Sequence, residues 1–187
     1  MPKSEKEKMI AGEFYTMQDD ELRAAHRRAL RLTRLFNNSM EDDPATRQKL
    51  IRELFAQTGE RFHIEPPFRC DYGFNISIGE DFYANFDCIM LDVCPIRIGK
   101  SVWLGPRVSL FAAGHPLDPE LRASGQEFGK PITIEDGVWI GGNVTILPGV
   151  TIGKNTVVGA GSVVTKDLPA GVLAMGNPCQ VKRTIVS

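Results

Sequence analysis

The sequence predicts a mainly β protein, a parallel β-helix of hexapeptide repeats with an N-terminal helical cap and one excursion loop. Three observations carry this. First, Ile134, Ile140, Ile146, Ile152, Val158 and Val164 recur at every sixth residue, and Val138, Val144, Val150, Thr156 and Ser162 follow four residues after the first five. A strict six fits neither an amphipathic helix nor a simple strand, but it fits a parallel β-helix. Each hexad supplies a short strand and a corner, and three hexads close a triangular coil. The thirty-six residues 132–167 therefore make two coils, stacked about 4.8 Å apart. Second, residues 1–60 lack the beat and carry apolar stripes at helical spacing. Third, the beat is broken once by a stretch rich in proline and glycine, 111–131.

In chain order, the cap comes first, over 1–60. Leu22, Ala25, Ala29, Leu32 and Phe36 form a stripe behind Asp19 and Asp20, which suit a helix start, while Arg23, Arg27, Arg28, Arg31 and Arg34 fall on other faces. A second helix is expected from Asp43-Pro44, an N-cap with proline at the first helical position, burying Leu50, Ile51, Leu54 and Phe55 and ending at Gly59. The β-helix domain is assigned to 61–187. Its beat begins loosely, with Tyr72, Ile78, Ala84 and Met90 in one slot and Ile76, Phe82, Cys88 and Cys94 in the other. A slip of two residues at Cys94-Pro95 reads as an enlarged corner, after which Ile98, Leu104 and Leu110 resume with Val102 and Val108 between. The excursion 111–131 holds His115, Pro116, Pro119 and three glycines, and long loops on rigid scaffolds are where function concentrates. Gly141, Gly153 and Gly159 directly follow aliphatic residues, where a corner favours a residue without Cβ. Beyond Asp167, a C-terminal extension is marked by Pro169, Gly171, Gly176 and Pro178 and then by Lys182-Arg183.

Composition narrows the function. With 22 Lys+Arg against 23 Asp+Glu the net charge is -1, which argues against nucleic-acid binding; the arginines of the first helix read as a solvated face. No apolar run approaches the roughly 20 residues of a bilayer span. The charged start MPKSEKEKMIAGEFY has no secretory core, so a cytoplasmic location is expected. Four cysteines show no CxxC spacing. Cys70 and Cys88, eighteen residues apart, are expected to stack one coil apart as small buried thiols.

Among three histidines, His26 falls in the cap and His63 is expected to precede the coil, leaving His115 as the candidate base within the repeat. Imidazole accepts a proton near neutral pH, and a loop position keeps it accessible. One coil histidine does not make the three-histidine zinc site of a β-helix carbonic anhydrase, so no metal is expected. Trp139 faces outward between inward Val138 and Ile140, the placement of a cleft wall.

The segments FYANFDCIMLDVCPIRIG, AAGHPLDPELRASGQEFGKPITI, VWIGGNVTILPGVTIG and VVTKDLPAGVLAMGNP, with EKEKMIAGEFY and RCDYGFNI, resemble the hexapeptide-repeat sugar O-acetyltransferases over nearly the whole chain. The maltose branch of that family is nearer than the galactoside branch. The resemblance implies a left-handed β-helix, a homotrimer with active sites between subunits, acetyl-CoA as co-substrate, and direct attack of a sugar hydroxyl on the thioester. It implies His115 as general base and Asn85, in YANFD, as the second catalytic residue, which orients the acceptor and stabilises the transition state. Asp71, Tyr83, Asn85, Asp92 and Trp139 fall where substrate contacts are expected. Gly142, Ala160, Thr165, Lys166 and Arg183 match the acetyl-CoA site, with the Gly142 N–H near the thioester. Against the galactoside pattern, Gln180 replaces a basic residue, Val93 an acidic one, and Asp71 a hydroxyl side chain. The expected acceptor is therefore glucose, maltose or a related sugar. Other readings are a different small acceptor (a galactoside, serine, an amine or an antibiotic such as chloramphenicol) or a non-catalytic hexapeptide scaffold.

Overall fold

The computed structural model describes residues 2–185. Among the described residues there are four helices: α1 (Glu5–Ile10), α2 (Asp20–Asn37), α3 (Pro44–Leu54) and α4 (Pro119–Ala123). The Asp19 carboxylate caps α2 by accepting from the Leu22 N–H (3.0 Å), and Asp43 does the same for α3 through Thr46 (3.0 Å), so both expected starts are observed. α3 stops at Leu54, because Phe55 turns to extended backbone, rather than running on to Gly59. α1 was not expected, since six residues are too few to display a stripe; a Ser4–Glu7 capping box holds its start. Ala29, Leu32 and Phe36 of α2 share one core with Ile51, Leu54, Phe55, Phe62, Phe68 and Phe82, which plugs the first end of the prism.

The prism has three faces of parallel strands. An aromatic face stacks Phe62–Ile64, Phe82–Ala84, Trp103–Leu104, Trp139–Ile140, Val157–Val158 and Val172–Met175. A second face stacks Phe68–Cys70, Cys88–Leu91, Ser109–Phe111, Thr145–Ile146 and Val163–Val164, and a third stacks Ile76–Ile78, Ile96–Ile98, Ile132–Ile134 and Thr151–Ile152. All six aliphatics of the regular series are buried. At the carboxyl end the inward slots turn polar. Thr156 Oγ1 there donates to the Pro169 carbonyl, and Ser162 Oγ accepts from the Gly176 N–H (3.0 Å). The final strand, Gln180–Thr184, folds back antiparallel on Val172–Met175 and covers the open edge of the aromatic sheet.

The register corrects several expectations from the looser half of the sequence. Phe68 pairs with Cys88 and Cys70 with Met90, so the first coils advance by twenty residues, and Cys70 and Cys88 do not stack on each other. Both thiols are nonetheless buried. The extra residues all enter one corner, between the second and third faces. Counted between positions equivalent in register, 71–75 and 91–95 stand there where the regular coil needs only 147–149, and the excursion 111–131 leaves from the same place. Tyr72 lies in that enlarged corner instead of an inward slot, packed with Met9, Tyr15, Leu22 and Val93 beneath the cap. The coil also begins before Tyr72. His63 sits on its first aromatic-face strand, opposite Tyr83, and so belongs to the prism.

Candidate active site

Corners place the functional side chains. At the corner between the aromatic and second faces, Asn85, Gly105, Gly141 and Gly159 stack through a ladder in which each N–H donates to the coil above, to Leu104, Ile140, Val158 and Ala174 in turn (2.8–3.0 Å). The chain turns there through left-handed backbone at Asp87, Arg107, Asn143 and Gly161. Asn85 Oδ1 accepts from the Phe86 N–H (2.8 Å), and the Asn85 amide NH₂ has no acceptor among the described residues. Gly142 is tightly placed, its N only 2.6 Å from where a Cβ on Gly105 would lie. Among the described residues the Gly142 N–H meets no acceptor. Ala160 is exposed on the next coil, and a Cβ on the adjacent Gly161 would meet nothing within 4 Å.

Beside this corner, the outward residues of the aromatic face form a column. His63, Tyr83, Trp103 and Trp139 follow one another in register; the His63 and Tyr83 rings stack at 5.8 Å with planes 10° apart. Trp103 and Trp139 are 59% and 54% exposed, so these large rings contribute nothing to the core and are available to a ligand or another chain. Arg183 lies at the far end of the same sheet, opposite Leu173, and is exposed.

The remaining predicted residues gather at the enlarged corner. Asp71 is half-buried, and burial raises its pKa to about 6 against the opposing pull of His26. His26 Nδ1 lies 2.8 Å from the Asp71 carbonyl, which ties the cap to this corner. Asp92 departs from expectation. It is wholly buried, its Oδ1 accepts from the N–H groups of Asp71 and Tyr72 (3.1 and 2.8 Å), and its Oδ2 accepts from Asn75 (3.3 Å). With both oxygens used by the backbone it cannot contact a substrate; it shapes the corner that presents Asp71. Burial lifts its pKa to about 7 in spite of those donors.

His115 is exposed and follows the short strand Ala113–Gly114, which pairs antiparallel with Gln126–Gly129. The excursion is therefore a hairpin, with α4 near its tip, and its second strand is gripped from the other side by Tyr15–Thr16. Thr165 and Lys166 occupy the same corner two coils further on and are exposed. Within one chain the candidates thus form two groups. Tyr83, Asn85, Trp139, Gly142, Ala160 and Arg183 lie on or beside the aromatic face; Asp71, Asp92, His115, Thr165 and Lys166 lie at the enlarged corner. The second face separates them by seven residues, about 20 Å at the strand rise. An open groove of about 580 Å³ lined by Arg97, Thr133, Asp136 and Lys154 runs along the third face and holds none of the candidates.

The pattern described as the maltose acetyltransferase hexapeptide capping motif matches residues 8–59, and the six-repeat bacterial transferase hexapeptide pattern matches 131–166. The chain is 45% identical over 179 residues to the galactoside O-acetyltransferase of Escherichia coli, covering 96% of this chain and 88% of that one. It is 51% identical to a maltose O-acetyltransferase from Clostridium difficile whose crystal structure covers 99% of each chain at a TM-score of 0.98. The chain belongs to the hexapeptide-repeat sugar O-acetyltransferases. A hexapeptide-repeat acetyltransferase from Vibrio cholerae, solved in complex with acetyl-CoA, is 42% identical with a TM-score of 0.92, covering 99% of this chain and all of that one. In this sugar O-acetyltransferase the capping pattern takes in α2 and α3. The hexapeptide pattern coincides with the two regular coils and passes over the twenty-residue coils before them.

Sequence reasoning missed His63 and Trp103, which complete the aromatic column, Tyr15 beside the His115 loop, and Glu127 within it. Trp103 was findable once the coil length was known, since it stands twenty residues after Tyr83 and thirty-six before Trp139.

Proposed function

We propose that this chain is an acetyl-CoA-dependent O-acetyltransferase that moves an acetyl group to a hydroxyl of glucose, maltose or a related sugar in the cytoplasm, at sites formed between the subunits of a homotrimer. The observation that carries the shared site is the division of the candidates between two edges of one prism face. One copy offers Asn85, Trp139 and Gly142 about 20 Å from its own enlarged corner, so a neighbour that docks its His115 hairpin against the aromatic edge completes the set. The acetyl-CoA complex of the Vibrio cholerae relative supports the donor, and the names of the maltose and galactoside relatives support a sugar acceptor.

In this reading His115 takes the proton of the acceptor hydroxyl as its oxygen bonds to the thioester carbonyl carbon. Negative charge moves to the carbonyl oxygen, where the unpartnered Gly142 N–H donates. The Asn85 amide NH₂, freed by the commitment of its oxygen to Phe86, orients the acceptor and supports the same charge. Collapse breaks the C–S bond, and the His115 imidazolium returns its proton to the departing thiolate. Ala160 and Gly161 leave room for the pantetheine arm, while Thr165, Lys166 and Arg183 face its phosphates.

The test measures free thiol release with maltose, glucose, a galactoside, serine and chloramphenicol. His115→Ala should lose about a hundredfold or more, and Asn85→Ala should also be impaired. Co-refolding the two variants in equal amounts should restore about a quarter of native activity, because random assortment reunites an intact base with an intact asparagine at that frequency in a site drawn from two chains. No recovery would place the whole site within one chain. Turnover of serine or chloramphenicol without any sugar would overturn the acceptor.

A further inference from the structure

We propose that Glu127, anchored by Tyr15, is a positioning residue for the base His115. The inference rests on the assignment of His115 as base and concerns how this chain holds it.

The excursion hairpin and the N-terminal segment form one three-stranded antiparallel sheet, with Gln126–Gly129 in the middle. On one side Tyr15 stands opposite Glu127. On the other, Ala113 pairs with Gly129 and Gly114 with Phe128, where the pairing ends; continuing that register by one step sets His115 opposite Glu127. Residues opposite one another in such a ladder put their side chains on the same face, with Cβ atoms about 4.5–5.5 Å apart. Continued to His115, the register therefore sets Tyr15, Glu127 and His115 in one row across the sheet.

The first link of that row is formed. The Tyr15 hydroxyl donates to Glu127 Oε2 at 2.8 Å, and Tyr15 is only 2% exposed. Burial and the facing carboxylate both push the Tyr15 pKa far upward, so the phenol remains a donor. Glu127 Oε1 has no partner among the described residues, and the carboxylate is half-buried. A carboxylate with one oxygen fixed and the other free suits the N–H of an imidazole whose second nitrogen must face the acceptor. That contact selects the tautomer, fixes the ring plane, and stabilises the imidazolium formed during attack. Packing backs the row on the N-terminal side. A Cβ at Gly12 would lie 2.9 Å from the Gly129 carbonyl, and the Phe14 ring meets Phe128 edge-on at 5.8 Å. The cap thus reaches the catalytic loop through strand pairing, and Glu127 is where that reach meets the base.

The experiment is steady-state kinetics on the intact protein with maltose as acceptor, for Glu127→Gln, Tyr15→Phe, and each combined with His115→Ala. Glu127→Gln should lower kcat about tenfold or more while the KM values for acceptor and acetyl-CoA stay within about twofold, and Tyr15→Phe should lower kcat by less. Restoring the carboxylate as Glu127→Asp should recover part of the loss. On the His115→Ala background neither change should cost anything further, because the group they position is gone. A rise in acceptor KM with kcat intact would make Glu127 an acceptor contact and overturn the proposal. A full loss persisting without His115 would equally overturn it, by assigning the row a structural role. If His115→Ala itself retains activity, the base assignment fails first; if it loses activity while Glu127→Gln does not, only the present inference fails.

Discussion

Replacing Asp92 with asparagine should make the protein more stable at alkaline pH and remove the stability that native Asp92 gains on acidification. Asp92 is buried beneath the enlarged corner, with a pKa raised from 3.8 to about 7. The folded state therefore binds a proton that the unfolded chain has already released between those two values. Stability from this group falls as pH rises through that window, and above it the whole cost of a buried charge is present. A shift of about three units corresponds to about 4 kcal/mol. Asparagine keeps an oxygen for the Asp71 and Tyr72 N–H groups but turns its NH₂ toward the Asn75 N–H, so the 3.3 Å bond is lost and two buried donors face each other, a cost of about 1–3 kcal/mol that is the same at both pH values. Urea unfolding at fixed protein concentration, at about pH 4.5 and pH 8, should show the stability difference between variant and native protein moving by about 3 kcal/mol in favour of the variant at the higher pH. Taking the difference cancels carboxylates such as Asp43 and Asp136, whose pKa values are lowered by hydrogen bonds and whose contribution is lost on acidification. A difference flat to within about 1 kcal/mol would refute the reasoning, because Asp92 would then titrate alike in both states.

Two further outcomes follow from the corners. Gly105→Ala would place a Cβ 2.6 Å from the Gly142 N and 2.9 Å from the Gly141 carbonyl carbon, costing about 1–3 kcal/mol of stability; if the Gly142 N–H serves the thioester, thiol release should fall about a hundredfold. Arg107 holds a left-handed backbone with φ 58°, so Arg107→Gly should raise the thermal midpoint slightly, by up to about 1 kcal/mol in stability, with unaltered turnover.

The two regular coils were legible because their period is constant. Ile134 to Val164 occupy one inward slot without a slip, and a sequence pattern sees what the register repeats. The earlier coils were partly hidden by two residues added to one corner of each. That small addition set Tyr72 in a second buried cluster outside the prism's inward slots, separated Cys70 from Cys88, and hid the place of His63 on the prism. The short helix α1 carries too few residues for a stripe to show. Site chemistry was readable one residue at a time, through His115 in its loop and Trp139 in an outward slot. Their arrangement was not, because which corner a residue occupies depends on the length of every coil before it. Asp92 shows the limit most directly: an acid beside a candidate site reads the same in sequence whether it faces solvent or three backbone N–H groups.

The enlarged corner also has a use for engineering. Its three to twenty-one residues vary in number without disturbing the stacking of the strands on either side, since added chain leaves and re-enters at the same height. Closure entropy grows only with the logarithm of length, by about 0.6 kcal/mol per doubling. This edge of the prism is thus a port at which a different segment can be spliced in place of 113–129, exchanging what the scaffold recognises while leaving the coils above and below in register.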